Sequence, residues 1–255
     1  NETKLANPVN DAVLLAKTFK DLNFDHVIVV KNANRIQLNT ALAQFKKLTK
    51  EADVAVIYYS GHGMMNSSKQ NFVLPTDMPK LASNANADLD LELENNAISA
   101  EKIVDVLFCS KIKVLILDAC REVPTAKFKS PNKGLSRMSQ AETKGMLIAY
   151  ATEEGKVAED GAGKNSTYAS SLAKYFAQKN LSILVALDNV AKDVEMATKS
   201  QQIPTRYGNL RVDAFLNVEQ AQDILRPSTN ILPTLPIVPA EETLPVLNIY
   251  ECIGS

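Results

Sequence analysis

Two short apolar runs constrain the fold of this chain more than any other feature. Residues 54–59 and 114–117 are apolar throughout, so both faces of each run are apolar. Strands of this kind lie inside a parallel sheet that helices cover on both sides. Segments with apolar residues at helical spacing alternate with them, at about 8–22, 35–50, 99–108, 166–178 and 183–198. This alternation predicts an α/β sandwich.

Shorter segments predict further strands. Three lie at residues 26–30, 71–74 and 146–152. In the acidic stretch 88–96, leucines alternate with Asp88, Asp90, Glu92 and Glu94. Such alternation is more typical of an edge strand with one polar face than of an ion-binding cluster.

The composition changes after Val218. Five of the eleven prolines fall in this last stretch, at positions 227, 233, 236, 239 and 245. Because proline fits neither a helix interior nor a central strand, we predict one folded domain over residues 1–217 and a proline-rich linker or tail over 218–255.

Composition also excludes several classes of function. The net charge of −1 provides no field that would attract nucleic acid or an anionic membrane, and no apolar run is long enough to span a bilayer. Two histidines without paired cysteines argue against zinc, and no Gly-rich phosphate loop is present. We therefore predict no cofactor. Three scattered cysteines predict a reducing, cytoplasmic location, although the chain begins with Asn and any leader would already be gone.

His62 and Cys120 each follow one of the two buried runs. If the strands are neighbours, both residues reach the crevice at the carboxyl ends of the sheet, where ligands bind. An imidazole can take the proton of a thiol and later protonate a leaving amine. The N–H groups of Gly63 and Cys120 could together form an oxyanion hole. A buried structural cysteine and a common Gly-His-Gly turn are the alternatives for each motif alone, but the pair favours a cysteine hydrolase.

Five segments together resemble one family. In order, they are Asn-Pro-Val-Asn-Asp-Ala at 7–12, Tyr-Tyr-Ser-Gly-His-Gly at 58–63, Leu-Pro-Thr-Asp at 74–77, Leu-Asp-Ala-Cys-Arg at 117–121 and Asn-Ser-Thr-Tyr at 165–168. The chain resembles the caspase-like cysteine peptidases over about residues 5–217, most of all the bacterial orthocaspases and then the metacaspases. The resemblance implies a caspase-like three-layer sandwich with a mostly parallel central sheet. It also implies that His62 is the general base, Cys120 the nucleophile and Gly63 an oxyanion donor.

Departures from the caspase signature bear on specificity. Asp118 and Glu122 stand where that signature has Gln and Gly. In metacaspases and orthocaspases, the acidic residue two before the cysteine lines the pocket for the residue before the cut. A carboxylate there suits Arg or Lys, because guanidinium pairs with it bidentately. Asp160 matches a later acidic position of the family and is a second candidate, with a surface-loop carboxylate as the alternative reading; Glu153 and Glu154 stay open.

The resemblance also leads to expectations about processing. The family has one more interior strand before the segment at 7–12, and this chain begins too late to contain it. We expect that the enzyme cut itself before Asn1 and that the fragment stays bound; the apolar residues 244–250 are a weaker substitute. A second processing site, or merely a solvated basic loop, lies at Lys127, Lys129, Lys133, Arg137 and Lys144. Metacaspases are generally monomeric and some need calcium, so we expect a monomer and leave calcium activation open.

These observations predict a cysteine endopeptidase that cleaves after Arg or Lys through an acyl-enzyme on Cys120. The alternative from another class is a catalytically silent scaffold or binding module with the same fold, although a scaffold has no need of His62 or Cys120. A cysteine hydrolase that acts on another substrate is a third interpretation.

Overall fold

The computed structural model describes residues 5–79, 86–108, 110–120, 145–153, 163–210 and 213–219. Contacts divide the chain into one compact unit, Asn1–Val218, and a second, Glu219–Ser255. Apart from Glu219, the second unit lies outside the described residues, so the proline-rich tail stays a prediction.

A central sheet organises the first unit. In the described part of the chain it has six strands, β1 (Val54–Met65), β2 (Asn71–Val73), β3 (Ile98–Ser99), β4 (Ile112–Cys120), β5 (Met146–Tyr150) and β6 (Thr205–Gly208). Their order across the sheet is β3-β2-β1-β4-β5-β6. The central pairs β1–β4 and β4–β5 are parallel, whereas the pairs β1–β2, β2–β3 and β5–β6 are antiparallel. The predicted α/β class is confirmed, with a parallel centre and antiparallel margins that make the sheet mixed.

Helices cover both faces of the sheet. They are α1 (Pro8–Asp21), α2 (Arg35–Leu48), α3 (Asn86–Asn96), α4 (Ala100–Asp105), α5 (Thr167–Phe176) and α6 (Ile183–Ala197), and a short 3₁₀ turn (Thr49–Glu51) follows α2. Apolar side chains of α1, α5 and α6 form one core with Val114, Ile116 and Leu147. Those of α2 and α4 form a second core with Leu115 and Leu117. Neighbouring positions of β4 therefore pack into opposite cores, which is why this run is apolar at every position.

The expectation of an edge strand at 88–96 is wrong. This segment belongs to helix α3. Leu89 and Leu93 are four residues apart and lie buried in a small core with Met64 and Phe72, while Leu91 is 59% exposed. Leucines at every second position also place a pair at i and i+4, and the apolar surface beside β2 selects that helical pair.

The expectation of a strand at 26–30 is also wrong. These residues have no regular secondary structure, and the side chains of Val29 and Val30 are exposed. No strand among the described residues pairs with them. A β-branched segment becomes a strand only when a neighbour supplies its hydrogen bonds.

Strands β1 and β4 are longer than the apolar runs that predicted them. Strand β1 continues through Ser60, Gly61 and His62 to Met65, and β4 ends at Cys120. His62 and Cys120 therefore lie within the last residues of paired strands rather than in turns that follow them. Two short strands, β3 and β6, had no clear signal in the sequence.

Candidate active site

Strand pairing brings the two predicted reactive positions together. The parallel register of β1 and β4 runs from Val54 opposite Ile112 to His62 opposite Cys120. The two strands are therefore neighbours, which is the condition under which the sequence places both residues at one crevice. Both strands run in the same direction. The two residues therefore lie at the same end of the sheet, where the carboxyl ends of the parallel strands meet.

The main chain at His62 is held from two sides. The carbonyl oxygen of His62 accepts a hydrogen bond from the Leu74 amide at 3.0 Å. It also accepts one from the Tyr59 hydroxyl at 2.8 Å, and that hydroxyl lies 3.1 Å from the Leu74 carbonyl oxygen. The half-buried Tyr59 thus helps to hold the main chain of His62 next to Leu74, the residue that follows β2.

Gly61 and Gly63 lie in strand β1, and not in the Gly-His-Gly turn that the sequence left open as an alternative. A Cβ atom on Gly61 would lie 2.6 Å from the Tyr59 hydroxyl oxygen, so glycine is needed for close approach. Gly63 is buried opposite Val73. The His62 carbonyl points towards β2. In a strand the amide of the next residue points the opposite way, so the Gly63 amide faces β4 at its last residue, Cys120.

Asp118 lies within β4 opposite Ser60 and is 7% exposed. Its Oδ2 atom accepts a hydrogen bond from the Tyr58 hydroxyl at 2.8 Å and another from the Ser166 hydroxyl at 2.9 Å. The carboxylate that we predicted to be the specificity residue is therefore anchored by two neutral donors.

The donors around Asp118 are themselves fixed. Ser166 is the N-cap of α5, and its Oγ accepts a hydrogen bond from the Ala169 amide at 3.0 Å. The amide of Ser166 and the side-chain amide of Asn165 both donate to Oδ1 of the buried Asp11 at 2.9 Å. We call Asp11, Tyr58, Asp118, Asn165 and Ser166 the carboxylate cluster.

Burial and charge act together on the tyrosines of this region. Burial raises the pKa of Tyr58 well above its ordinary value, and the negative charge of Asp118 raises it further. The pKa of Tyr168 is raised in the same way, by burial and then by Asp118. Both hydroxyls therefore keep their protons through the neutral range, and Tyr58 stays a donor to the carboxylate.

Several predicted residues cannot be placed. Asp160, Glu122, Glu154 and the five basic residues from Lys127 to Lys144 lie outside the described residues. Glu153 is half-buried just after β5.

No metal centre is found in the part of the chain that the structure describes. No group of three or more His, Cys, Asp or Glu residues there is arranged to hold a metal ion. In the acidic stretch, Asp90 accepts hydrogen bonds from the amide and the hydroxyl of Ser67. Within the described segments, none of the helices combines the length and the hydropathy that a membrane span requires.

Sequence reasoning missed how Asp118 is held. Tyr58, Ser166 and Asp11 all lie in the segments that carry the family resemblance, but nothing in their spacing indicated that they meet. The sequence did contain one usable signal. A polar residue next to a buried apolar run is itself often buried, and a buried polar residue needs hydrogen-bond partners.

Comparisons with known proteins bear on the family and the fold. The family model described as a caspase domain matches residues 1–215. Among solved structures, the crystal structure of caspase-1 from Spodoptera frugiperda is similar, with a TM-score of 0.59 and 18% identity over 86% of this chain and 84% of that chain. At this identity the likeness bears on the fold alone. A search of curated proteins finds no match.

Proposed function

The chain belongs to the caspase domain family, a family of cysteine peptidases, and from that premise we propose that it is an endopeptidase that cleaves after Arg or Lys. The observation that carries the proposal is the pairing of His62 with Cys120 at the carboxyl ends of two neighbouring parallel strands. An imidazole and a thiol at the carboxyl end of one sheet are the groups that acyl transfer requires.

In the proposed reaction, His62 takes the thiol proton of Cys120 and the sulfur attacks the peptide carbonyl. The imidazolium then protonates the leaving amine, which leaves a thioester on Cys120. Water, deprotonated by His62, hydrolyses the thioester and restores both groups. We expect this cycle to need no cofactor, and assays with calcium and with a chelator test that expectation.

The amides of Gly63 and Cys120 are the proposed donors to the oxyanion. Both belong to the last rung of the β1–β4 pairing. In a parallel pair of this register, the Cys120 amide donates to β1 and the Gly63 amide donates to β4. A substrate carbonyl that takes both hydrogen bonds would therefore replace that rung, so we expect the end of β4 to move when substrate binds.

We propose that Asp118 selects the basic side chain, with Asp160 as a second contributor. Burial beside two hydroxyl donors supports the role of Asp118, because the carboxylate keeps a fixed position. Selection of this kind would place the chain with the orthocaspase and metacaspase branches of the family.

Hydrolysis of matched fluorogenic peptides that end in Arg, Lys or Asp tests the function. We expect cleavage after Arg and Lys that is lost in Cys120→Ala and in His62→Ala. The matched controls are His26→Ala, at the second of the two histidines, which is exposed in this fold, and Cys252→Ala, at one of the two other cysteines. Cleavage after Asp would overturn the role of Asp118 but spare the dyad, and a wild type that cleaves nothing would favour the scaffold.

An open sheet edge supports the proposal that a cleaved N-terminal segment stays bound. Among the described residues, β2 pairs with β1 only from Gly63 to Met65. The Ile112 amide donates to the Asp53 carbonyl, so strand alternation turns the backbone groups of Val54, Val56 and Tyr58 to the other edge.

A cavity of about 190 Å³ lies along that edge, lined on its far side by residues 25–30. An extended strand that is apolar on both faces would satisfy the exposed backbone of β1 and give residues 26–30 a neighbour. Intact-mass analysis of the purified protein tests the idea. A co-purifying peptide of strand length supports it, whereas a folded protein without such a peptide contradicts it.

A further inference from the structure

The segment Leu-Pro-Thr-Asp at 74–77 is one of the five that carry the family resemblance, yet it has no part in the proposed reaction. We call it the anchor segment. It begins where β2 ends, and its first residue lies beside His62. The Leu74 amide donates to the His62 carbonyl oxygen at 3.0 Å, and the Tyr59 hydroxyl lies 2.8 Å from that oxygen and 3.1 Å from the Leu74 carbonyl oxygen. One end of the anchor segment is therefore fixed to the main chain that carries the imidazole.

The other end of the anchor segment is fixed to the start of helix α2. The Thr76 amide donates to the Ala33 carbonyl oxygen at 2.9 Å, and the Thr76 hydroxyl donates to the Asn32 carbonyl oxygen at 3.2 Å. Oδ1 of Asp77 accepts a hydrogen bond from the Arg35 amide at 2.8 Å. Arg35 is the first residue of α2, and first-turn amides have no partner within a helix, so Asp77 caps α2 from outside.

The chain between these two ends is short and stiff. Pro75 is buried, and its ring fixes φ. The Pro75 carbonyl oxygen accepts a hydrogen bond from the Met78 amide at 3.1 Å, which closes a turn. Pro75 is also the one residue between Leu74, which contacts His62, and Thr76, which contacts the chain before α2. A displacement at one end of the anchor segment is therefore carried to the other end.

We propose that Thr76 and Asp77 are positioning residues, which hold the anchor segment against the start of α2 and thereby set the place of His62 relative to Cys120. The inference rests on the proposed function and adds to it two exposed residues that do no chemistry themselves. Pairing with β4 fixes the end of β1 on one side, and the anchor segment fixes it on the other. The imidazole must meet the thiol within hydrogen-bond reach, and a misplacement of about 1 Å can cost roughly a hundredfold in rate.

Two substitutions at Asp77 test the proposal in hydrolysis of the Arg substrate. Asp77→Ala removes the acceptor for the Arg35 amide, whereas Asp77→Asn removes the charge and keeps an acceptor oxygen. We expect Asp77→Ala to lower kcat about tenfold with little change in KM, because the loss concerns the geometry of the reacting groups and not the binding of substrate. Asp77→Asn should stay within about threefold of the wild type. Thr76→Val/Asp77→Ala, which removes both side-chain anchors, should lower kcat by about a hundredfold.

Asn34→Ala is the matched control for stability. Asn34 caps the same helix by accepting a hydrogen bond from the Gln37 amide at 2.8 Å, and this bond does not involve the anchor segment. Asn34→Ala and Asp77→Ala each remove one cap of α2, so both should lower Tm by about 2–4 °C. Only Asp77→Ala should lower kcat.

A second measurement follows the thiol without any peptide substrate. The rate at which iodoacetamide alkylates Cys120 reports the reactive thiolate, and mass spectrometry of the modified peptide separates Cys120 from the other cysteines. At about pH 6.5, the wild type should be alkylated at least about tenfold faster than His62→Ala, because an imidazole in place takes the thiol proton. Asp77→Ala should lose at least about threefold of that rate, while Asn34→Ala and Asp77→Asn should match the wild type.

The outcomes distinguish this inference from the function on which it rests. Alkylation of wild-type Cys120 no faster than in His62→Ala would overturn the dyad, and the proposed function and the inference with it. A wild type with a working dyad, in which Asp77→Ala equals Asn34→Ala in kcat and in alkylation rate, would overturn the positioning role alone. A loss confined to KM would also overturn it, because it would place Asp77 at the substrate. Should Thr76→Val/Asp77→Ala fail to fold, Asp77→Ala and Asp77→Asn carry the same test.

Discussion

Replacement of Gly61 by alanine should disable the site through a side chain that does no chemistry. The new Cβ would lie 2.6 Å from the Tyr59 hydroxyl oxygen and 2.9 Å from the ring carbon that bears it. Non-bonded contacts are favourable near 3.5 Å, so the hydroxyl must move by roughly 1 Å. That hydroxyl donates its one proton to the His62 carbonyl oxygen at 2.8 Å, with the Leu74 carbonyl oxygen at 3.1 Å, and a shift of this size breaks the hydrogen bond.

The expected magnitude follows from that hydrogen bond. It contributes about 1 kcal/mol net, so Gly61→Ala should lower the free energy of unfolding by about 1 kcal/mol and Tm by about 2–4 °C. A displacement of about 1 Å at a catalytic group can cost roughly a hundredfold, so kcat/KM for the Arg substrate should fall by about that factor. Gly163→Ala is the control, because its nearest neighbour would be an ordinary contact at 3.5 Å.

A double-mutant cycle tests the cause. Tyr59→Phe removes the closest clashing atom and its hydrogen bond together. If the clash acts through this hydroxyl, Gly61→Ala should cost much less in the Tyr59→Phe background than in the wild type. Full additivity of the two losses, or an unchanged kcat/KM in Gly61→Ala, would refute the reasoning.

Three further predictions concern stability. In Gly208→Ala the new Cβ would lie 2.0 Å from the Met146 carbonyl oxygen, at a residue whose φ is +132°, so β6 must separate from β5. Chemical denaturation should show that the free energy of unfolding falls by about 2–4 kcal/mol. Leu93→Ala should cost about 2–5 kcal/mol in the same assay, whereas exposed Leu91→Ala should change little, and equal losses would contradict a helical α3. Because the pKa of Tyr58 is raised in the folded state, the unfolded chain loses this proton first as the pH rises. The free energy of unfolding should therefore fall above about pH 10, by up to about 1.4 kcal/mol per pH unit. In alkaline denaturation curves, Tyr58→Phe should lessen that slope.

The centre of the sheet could be predicted because burial on both faces leaves a local trace. Residues 54–59 and 114–117 are apolar at every position, and from Ala55 onwards each position of these runs packs into one of two cores. The ends of the same strands left no such trace. The sequence Gly61-His62-Gly63 is common in turns, yet pairing with β4 on one side and with β2 and the chain after it on the other keeps it extended.

The errors arose where local pattern and tertiary contact disagree. The alternating leucines of 88–96 fit a strand and a helix equally, and only the apolar surface formed by Met64 and Phe72 decides between them. Residues 26–30 have strand composition, but a strand also needs a partner that offers its backbone groups. The cluster around Asp118 was beyond prediction because it joins α1, β1, β4 and α5 through single side chains that are far apart in sequence.

Tyr58 links the two unusual features of this molecule. Its backbone faces the open edge of β1 and lines the cavity there, while its hydroxyl holds the carboxylate of Asp118. A strand that pairs at this edge would fix the main chain of Tyr58, and the hydroxyl would then have fewer ways to leave Oδ2. Order at the sheet edge and order in the proposed specificity site are therefore coupled through one residue. An enzyme whose edge is filled should consequently discriminate between basic and neutral substrates more strictly than the same enzyme with the edge open.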